Sequence, residues 1–171
     1  LIATSNGQII GDSQNNGVLG ANCSLAPVII SQVYQTSTGN AIELTNIGAT
    51  TANNINLVLF RNIGSSSPNG VTPTASLTIT SLSAGNSVVI KSVASLSGVT
   101  LINSPTEITN ATITDIAGEN DTVVLSTTID NSAWANRYDV VSNIEDETSF
   151  VRIDEVTAAN ITFTPSEWAV F

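Results

Sequence analysis

Short runs of β-branched and apolar residues, each broken by Gly, Asn, Pro or Ser, leave this chain few options other than sheet. "NINLVLFRN" (54–62) shows the pattern best, with Ile55, Leu57 and Leu59 on one face. Val58 and Phe60 occupy the other face, so cover is expected on both sides. "PVIISQVY" (27–34) and "NAIELTN" (40–46), separated by "QTSTG", read as a hairpin. "SLTITSL" (76–82), "SAGNS" and "VVIKSV" (88–93) give strand, turn and strand. "VTLIN" (99–103), "TVVLSTT" (122–128), "SFVRIDEV" (149–156) and "ITFTPSEWAVF" (161–171) continue the series. "SSSPNGVTP" (65–73) is a loop by its Pro, Asn-Gly and Ser content. The one helical candidate is a single turn in "DNSAWANRY" (130–138). About eight or nine strands at this spacing predict an all-β, immunoglobulin-like antiparallel sandwich.

A chain of 171 residues suits one domain, and burying about 70% of its unfolded surface gives it a core without metals or disulfides. Residues 27–171 form the expected sandwich, and residues 1–26 differ from it. In that first segment the apolar pairs Leu1-Ile2, Ile9-Ile10 and Val18-Leu19 are spaced by Gly, Asn and Ser. It reads as an extended arm that covers its apolar pairs on its own sandwich or against a neighbouring molecule.

Four basic residues stand against 14 acidic ones with no His, a formal charge of −10. That field repels phosphate backbones and anionic lipid, which argues against nucleic-acid and membrane partners. No apolar run approaches the ~20 residues that span a bilayer. Low Lys, absent Met and abundant small polar residues suggest an exported or cell-surface protein, in which case Leu1 is a processed end. Cys23 is the single cysteine and excludes an intrachain disulfide; cross-linking to a second chain is the alternative to a small packed side chain. The sequons at Asn22, Asn110, Asn120 and Asn160 matter only in a glycosylating host.

Without His, Ser-His-Asp and Cys-His catalysis and His-ligated zinc are impossible, and one Cys excludes thiolate clusters. No phosphate-binding Gly motif follows a strand. A pair of carboxylates of the glycosidase kind remains, but with 14 acids to choose from it marks no particular residues. No catalytic residue is assigned and the chain is read as a non-enzyme. "TDIAGENDT" offers Asp115, Glu119, Asn120 and Asp121 to a hard cation such as calcium, and "NIEDET" offers Glu145, Asp146 and Glu147. Neither follows the known calcium-loop spacing, and solvated turns are the favoured reading of both. "VTPTASLTIT" lacks the repeated coils an ice-binding threonine face needs.

In "NAIELTN" alternation places Ile42 and Leu44 on one face and Ala41, Glu43 and Thr45 on the other. Glu43 is therefore expected on the wetter face, paired with Arg61, Arg137 or Arg152, with backbone amides or with water. Arg152 in the closing strand is the favoured partner, as a structural ion pair.

The order "VIISQVY", "NAIELTNIG", "NNINLVLFRN", "LTITSLSAGNSVVI", "GENDTVVL", "SFVRID" and "FTPSEW" resembles the lamin tail domain family, in its exported bacterial members. The resemblance covers roughly residues 27–171. Ala84 stands where the family's turn usually has Pro, the loop at 61–76 is long, and the arm has no counterpart. The resemblance implies a non-catalytic sandwich module of surface-attached or secreted proteins, with no common ligand. Two functions follow. One is a structural subunit that assembles with copies of itself into a surface filament or layer, through donation of the arm as a strand. The other is a monomeric module that binds a glycan or protein through Trp134, Tyr138 and Trp168; packing inside the sandwich is the favoured role of the tryptophans.

Overall fold

The expected hairpin forms, with β1 (Val28–Thr36) antiparallel to β2 (Gly39–Asn46), from Val28 opposite Asn46 to Thr36 opposite Gly39. The register shifts between Ile30 and Gln32, so that Ser31 is an extra residue and β1 carries a β-bulge there. Ile42 and Leu44 are fully buried while Glu43 and Thr45 stay half-exposed on the outer face, as the alternation predicts.

This computed structural model describes residues 27–63, 67–96, 101, 105–116, 120–154 and 156–171. The arm residues Leu1, Ile2, Ile9, Ile10, Val18 and Leu19, together with Cys23 and Glu119, lie outside the described residues.

Eight further strands complete two sheets: β3 (Ala52–Phe60), β4 (Ala75–Leu82), β5 (Ser87–Lys91), β6 (Thr106–Thr109), β7 (Asp121–Ser126), β8 (Arg137–Ile144), β9 (Phe150–Arg152) and β10 (Trp168–Val170). One sheet runs β10-β9-β1-β2-β5-β6 and the other β4-β3-β7-β8. All pairings are antiparallel except β5 with β6. The chain is thus an all-β sandwich, with ten strands among the described residues and one parallel pair at an edge.

No helix forms at 130–138: residues 131–136 make a single hydrogen-bonded turn, with the Asn136 amide donating to the Ser132 carbonyl (3.0 Å), and Arg137 and Tyr138 already belong to β8. The strand expected at 99–103 falls largely outside the described residues, and the strand in that region is β6.

The main core lies between the sheets and is built from the inward residues of both, among them Ile30, Ile42, Leu44, Leu57, Leu59, Ile90, Val123, Leu125 and Ile144. Val58, Phe60, Val124, Val140 and Ala133 make a second cluster on the outer face of the four-stranded sheet. This explains why β3 is apolar on both faces, as its sequence predicts.

Asn46 ties the two layers together where β2 ends. Its side chain is fully buried; Nδ2 donates to the Leu82 carbonyl (2.8 Å) and the Thr50 carbonyl (2.9 Å). Its Oδ1 accepts from the Gly48 amide (2.9 Å). Leu82 ends β4 in the opposite sheet, so one amide holds a strand of each layer and the turn between β2 and β3. Gly48 is required by close approach: a Cβ there would stand 2.5 Å from the Pro27 Cβ.

Candidate functional site

Arg152 does not pair with Glu43. Val151 aligns with the outward Gln32, so its neighbour Arg152 points inward, while Glu43 sits opposite Gln32 on the outer face. The two side chains are on opposite faces of one sheet. Arg152 instead donates from Nη2 to Asp139 Oδ1 (3.0 Å), with both side chains almost wholly buried. Asp139 also accepts the Ile30 amide at Oδ2 (2.7 Å) and the Asn160 amide at Oδ1 (2.9 Å).

Asp139 belongs to β8 of the four-stranded sheet, whereas Ile30 and Arg152 lie on β1 and β9 of the other. The cluster is therefore a polar clamp between layers. Trp168 stacks under the Arg152 guanidinium (4.4 Å to the ring centroid), and Glu167 Oε1 lies 4.0 Å from Nη1. Burial pushes the Asp139 carboxyl above the usual carboxylate range, opposed by the Arg152 charge and by the Asn160 and Ile30 amides. Sequence reasoning missed Asp139 because the helical turn assigned to 130–138 hid the start of β8. The available signal was alternation: Asp139 shares its face with the buried Val141.

Arg61 occupies the space between two of the proposed calcium ligands. Its Nη1 meets Asp115 Oδ2 at 2.5 Å and its Nε lies 3.8 Å from Asp121 Oδ2. Asp121 is fully buried and also accepts the Asn62 amide (2.9 Å). A guanidinium thus supplies the positive charge a cation would bring. Among the described residues no group of three or more His, Cys, Asp or Glu converges as a metal site.

The aromatic candidates pack against the sandwich. Trp134 meets Phe60 edge-on (6.4 Å between centroids) and lies under the Arg137 guanidinium at 3.7 Å, over the second cluster. Trp168 is buried beside Phe150 and Phe163. Tyr138 is half-buried and lines an open groove of about 240 Å³ with Pro27, Val28, Asn53 and Thr127.

Burial, with a smaller push from Asp139, raises the Tyr138 phenol to about 12. Folding therefore favours the protonated phenol. The stability it contributes is complete below the unfolded value of about 10 and is lost as pH rises through about 12. Absorbance titration of the folded chain is expected to show a late phenol that is lost in Tyr138→Phe. An unchanged titration curve in Tyr138→Phe above the ordinary phenol value refutes this.

Two further features bear on function. The first is a groove of about 100 Å³ on the outer face of the six-stranded sheet, lined by Gln32, Tyr34, Ala41, Glu43, Val89, Leu96 and Leu101. The second is the edge of the four-stranded sheet. β4 is eight residues long, pairs with β3 without a register shift, and carries no charge and no Pro. Ser76, Thr78, Thr80 and Ser81 are exposed along it, and Leu77 is only partly covered.

The other three sheet edges are guarded. β6 has four residues and carries Glu107, β10 has three residues, and β8 is bulged and held by Asp139. Among the described residues nothing pairs with the outer side of β4.

No helix among the described residues is long and apolar enough to cross a membrane. No family model matches the chain. No curated protein matches it either. The described residues form an all-β sandwich with a buried polar clamp, an edge strand β4 without charge, Pro or bulge, and an outer-face groove at Glu43.

Proposed function

We propose that this chain is a non-catalytic structural subunit of the cell exterior that assembles with copies of itself into a surface filament or layer. The observation that carries the reading is the unguarded edge of β4. A long, uncharged edge without bulge or Pro offers a row of free backbone donors and acceptors that another chain can satisfy. The donor is the arm of a neighbour, whose apolar pairs require cover. Donation from one molecule to the next is a head-to-tail contact and propagates unless it closes into a ring. The lamin-tail-like order of motifs supports the same class, an exported module without catalytic residues, and the low-lysine, acidic composition supports a surface location.

Light scattering and negative-stain microscopy test the proposal. The chain is expected to form linear particles. Deletion of residues 1–20 is expected to leave monomers, and so is Ser76→Lys with Thr80→Lys, which places charges on the accepting edge. A monomeric full chain, or filaments unchanged by the deletion, would falsify strand donation.

A further inference from the structure

The outer-face groove points to a partner of different chemistry. Glu43 projects from the middle of β2 into it, half-buried, and among the described residues its side chain has one hydrogen bond, a long one from the Thr45 hydroxyl (3.4 Å). Every basic side chain of the chain is committed elsewhere. Arg61 bridges Asp115 and Asp121, and Arg152 holds Asp139 beside Glu167. Arg137 lies on Trp134 and donates to the Trp134 and Ile161 carbonyls. Lys91, on the outer face near the groove, turns to the Ala94 carbonyl (2.7 Å) and to Glu107 (3.4 Å). The chain has four Lys and Arg in all and no His. Glu43 is thus a carboxylate in an apolar-walled groove for which its own chain has no cationic side chain left, and a second copy has none either.

The walls say what form the cation takes. Ala41, Val89, Leu96 and Leu101 provide an apolar lining, Tyr34 an aromatic face, and Gln32 an amide beside Glu43. A lysine side chain matches each wall: its methylene stem lies along apolar surface while its ammonium, a compact charge, meets a carboxylate and an aromatic ring. We propose that this groove receives a lysine side chain of a partner protein other than a copy of this chain. The strong acidity of the molecule draws such a basic partner toward it. This inference is independent of strand donation at β4, which lies in the other sheet.

The test uses N-acetyl-lysine methylamide as probe, titrated into the full isotope-labelled chain and followed by amide chemical shifts. Saturable shifts are expected at Ala41, Glu43 and Val89, with a dissociation constant on the order of millimolar. Glu43→Gln is expected to weaken binding at least tenfold, and so is replacing the probe by its norleucine analogue, which keeps the stem and loses the charge. Glu145→Gln, which removes an exposed acid elsewhere, is expected to change binding less than twofold. Unsaturable shifts, shifts centred on other residues, or equal binding by Glu43→Gln in a spectrum that remains well dispersed overturn the proposal. Equal binding of N-acetyl-arginine methylamide overturns the assignment to lysine.

Discussion

Asp139→Ala is expected to cost about 3–5 kcal/mol of unfolding free energy, because it leaves the Arg152 guanidinium buried without its counter-charge. The Ile30 and Asn160 amides lose their acceptor in the same step. For a chain of this length each kcal/mol moves the melting temperature by about 2–4 °C, so the drop is roughly 6–20 °C by thermal denaturation. Burial opposes the ionised form of Asp139 in spite of the Arg152 charge. Desolvation of two buried charges offsets much of their attraction, so the pair is expected to fix geometry more than it adds stability. Asp139→Leu combined with Arg152→Met is accordingly expected to recover a large part of the loss, since an apolar pair of similar volume avoids the desolvation of two charges. If Asp139→Ala melts within about 2 °C of the parent, the clamp is not structural.

Asn46→Ala is expected to lose about 2–4 kcal/mol, read as a lower urea midpoint with an unchanged slope. The substitution removes three hydrogen bonds from a fully buried amide and orphans the Leu82 carbonyl, the Thr50 carbonyl and the Gly48 amide. Asn46→Asp is expected to be worse at neutral pH. A carboxylate has no proton to give the two carbonyls, and its charge is buried among them. Equal stability of Asn46→Asp and the parent at pH 7 would show that the side chain is not the tie described. The damage is expected at the junction of β2 and β4, where hydrogen exchange of the Asn86 and Gly85 turn accelerates first, because the Asn46 backbone bonds both residues.

Much of the fold was legible in the sequence because alternation is a local signal. Ile42 and Leu44 went inward and Glu43 outward as the pattern requires, and the two-faced β3 acquired cover on both sides. What failed was non-local. A resemblance of "SAWANRY" to a helical turn hid β8, and with it Asp139, the true partner of Arg152. The expected pairing of Glu43 with Arg152 took Arg152 for its place in the closing strand; the two residues lie on opposite faces of one sheet, and one residue of phase decides that. The Asp115–Asp121 loop offered its acids to a cation because they are close in sequence, although a solvated turn was the favoured reading. The guanidinium that neutralises them comes from Arg61, at the end of β3, and no spacing rule predicts that meeting. The open edge of β4 was equally invisible, since being last in a sheet is a property of topology.

Ser31 has a reach out of proportion to its size. Along β1, Val28 and Ile30 face the core before it, and Val33 and Gln35 face inward after it, which two-residue periodicity alone does not allow. The bulge acts as a frame shift in three dimensions. It turns Gln32 and Tyr34 out to the groove while keeping Ile30 aimed at Asp139, so the clamp inside the sandwich and the groove outside it share a single phase setting. A strand that kept Ser31 in regular pairing, without the bulge, would present the same letters with their meanings exchanged, the amide and phenol inward and the valine in water. In such a chain, how one residue is left out of the pairing is as much a part of the design as the identity of any side chain.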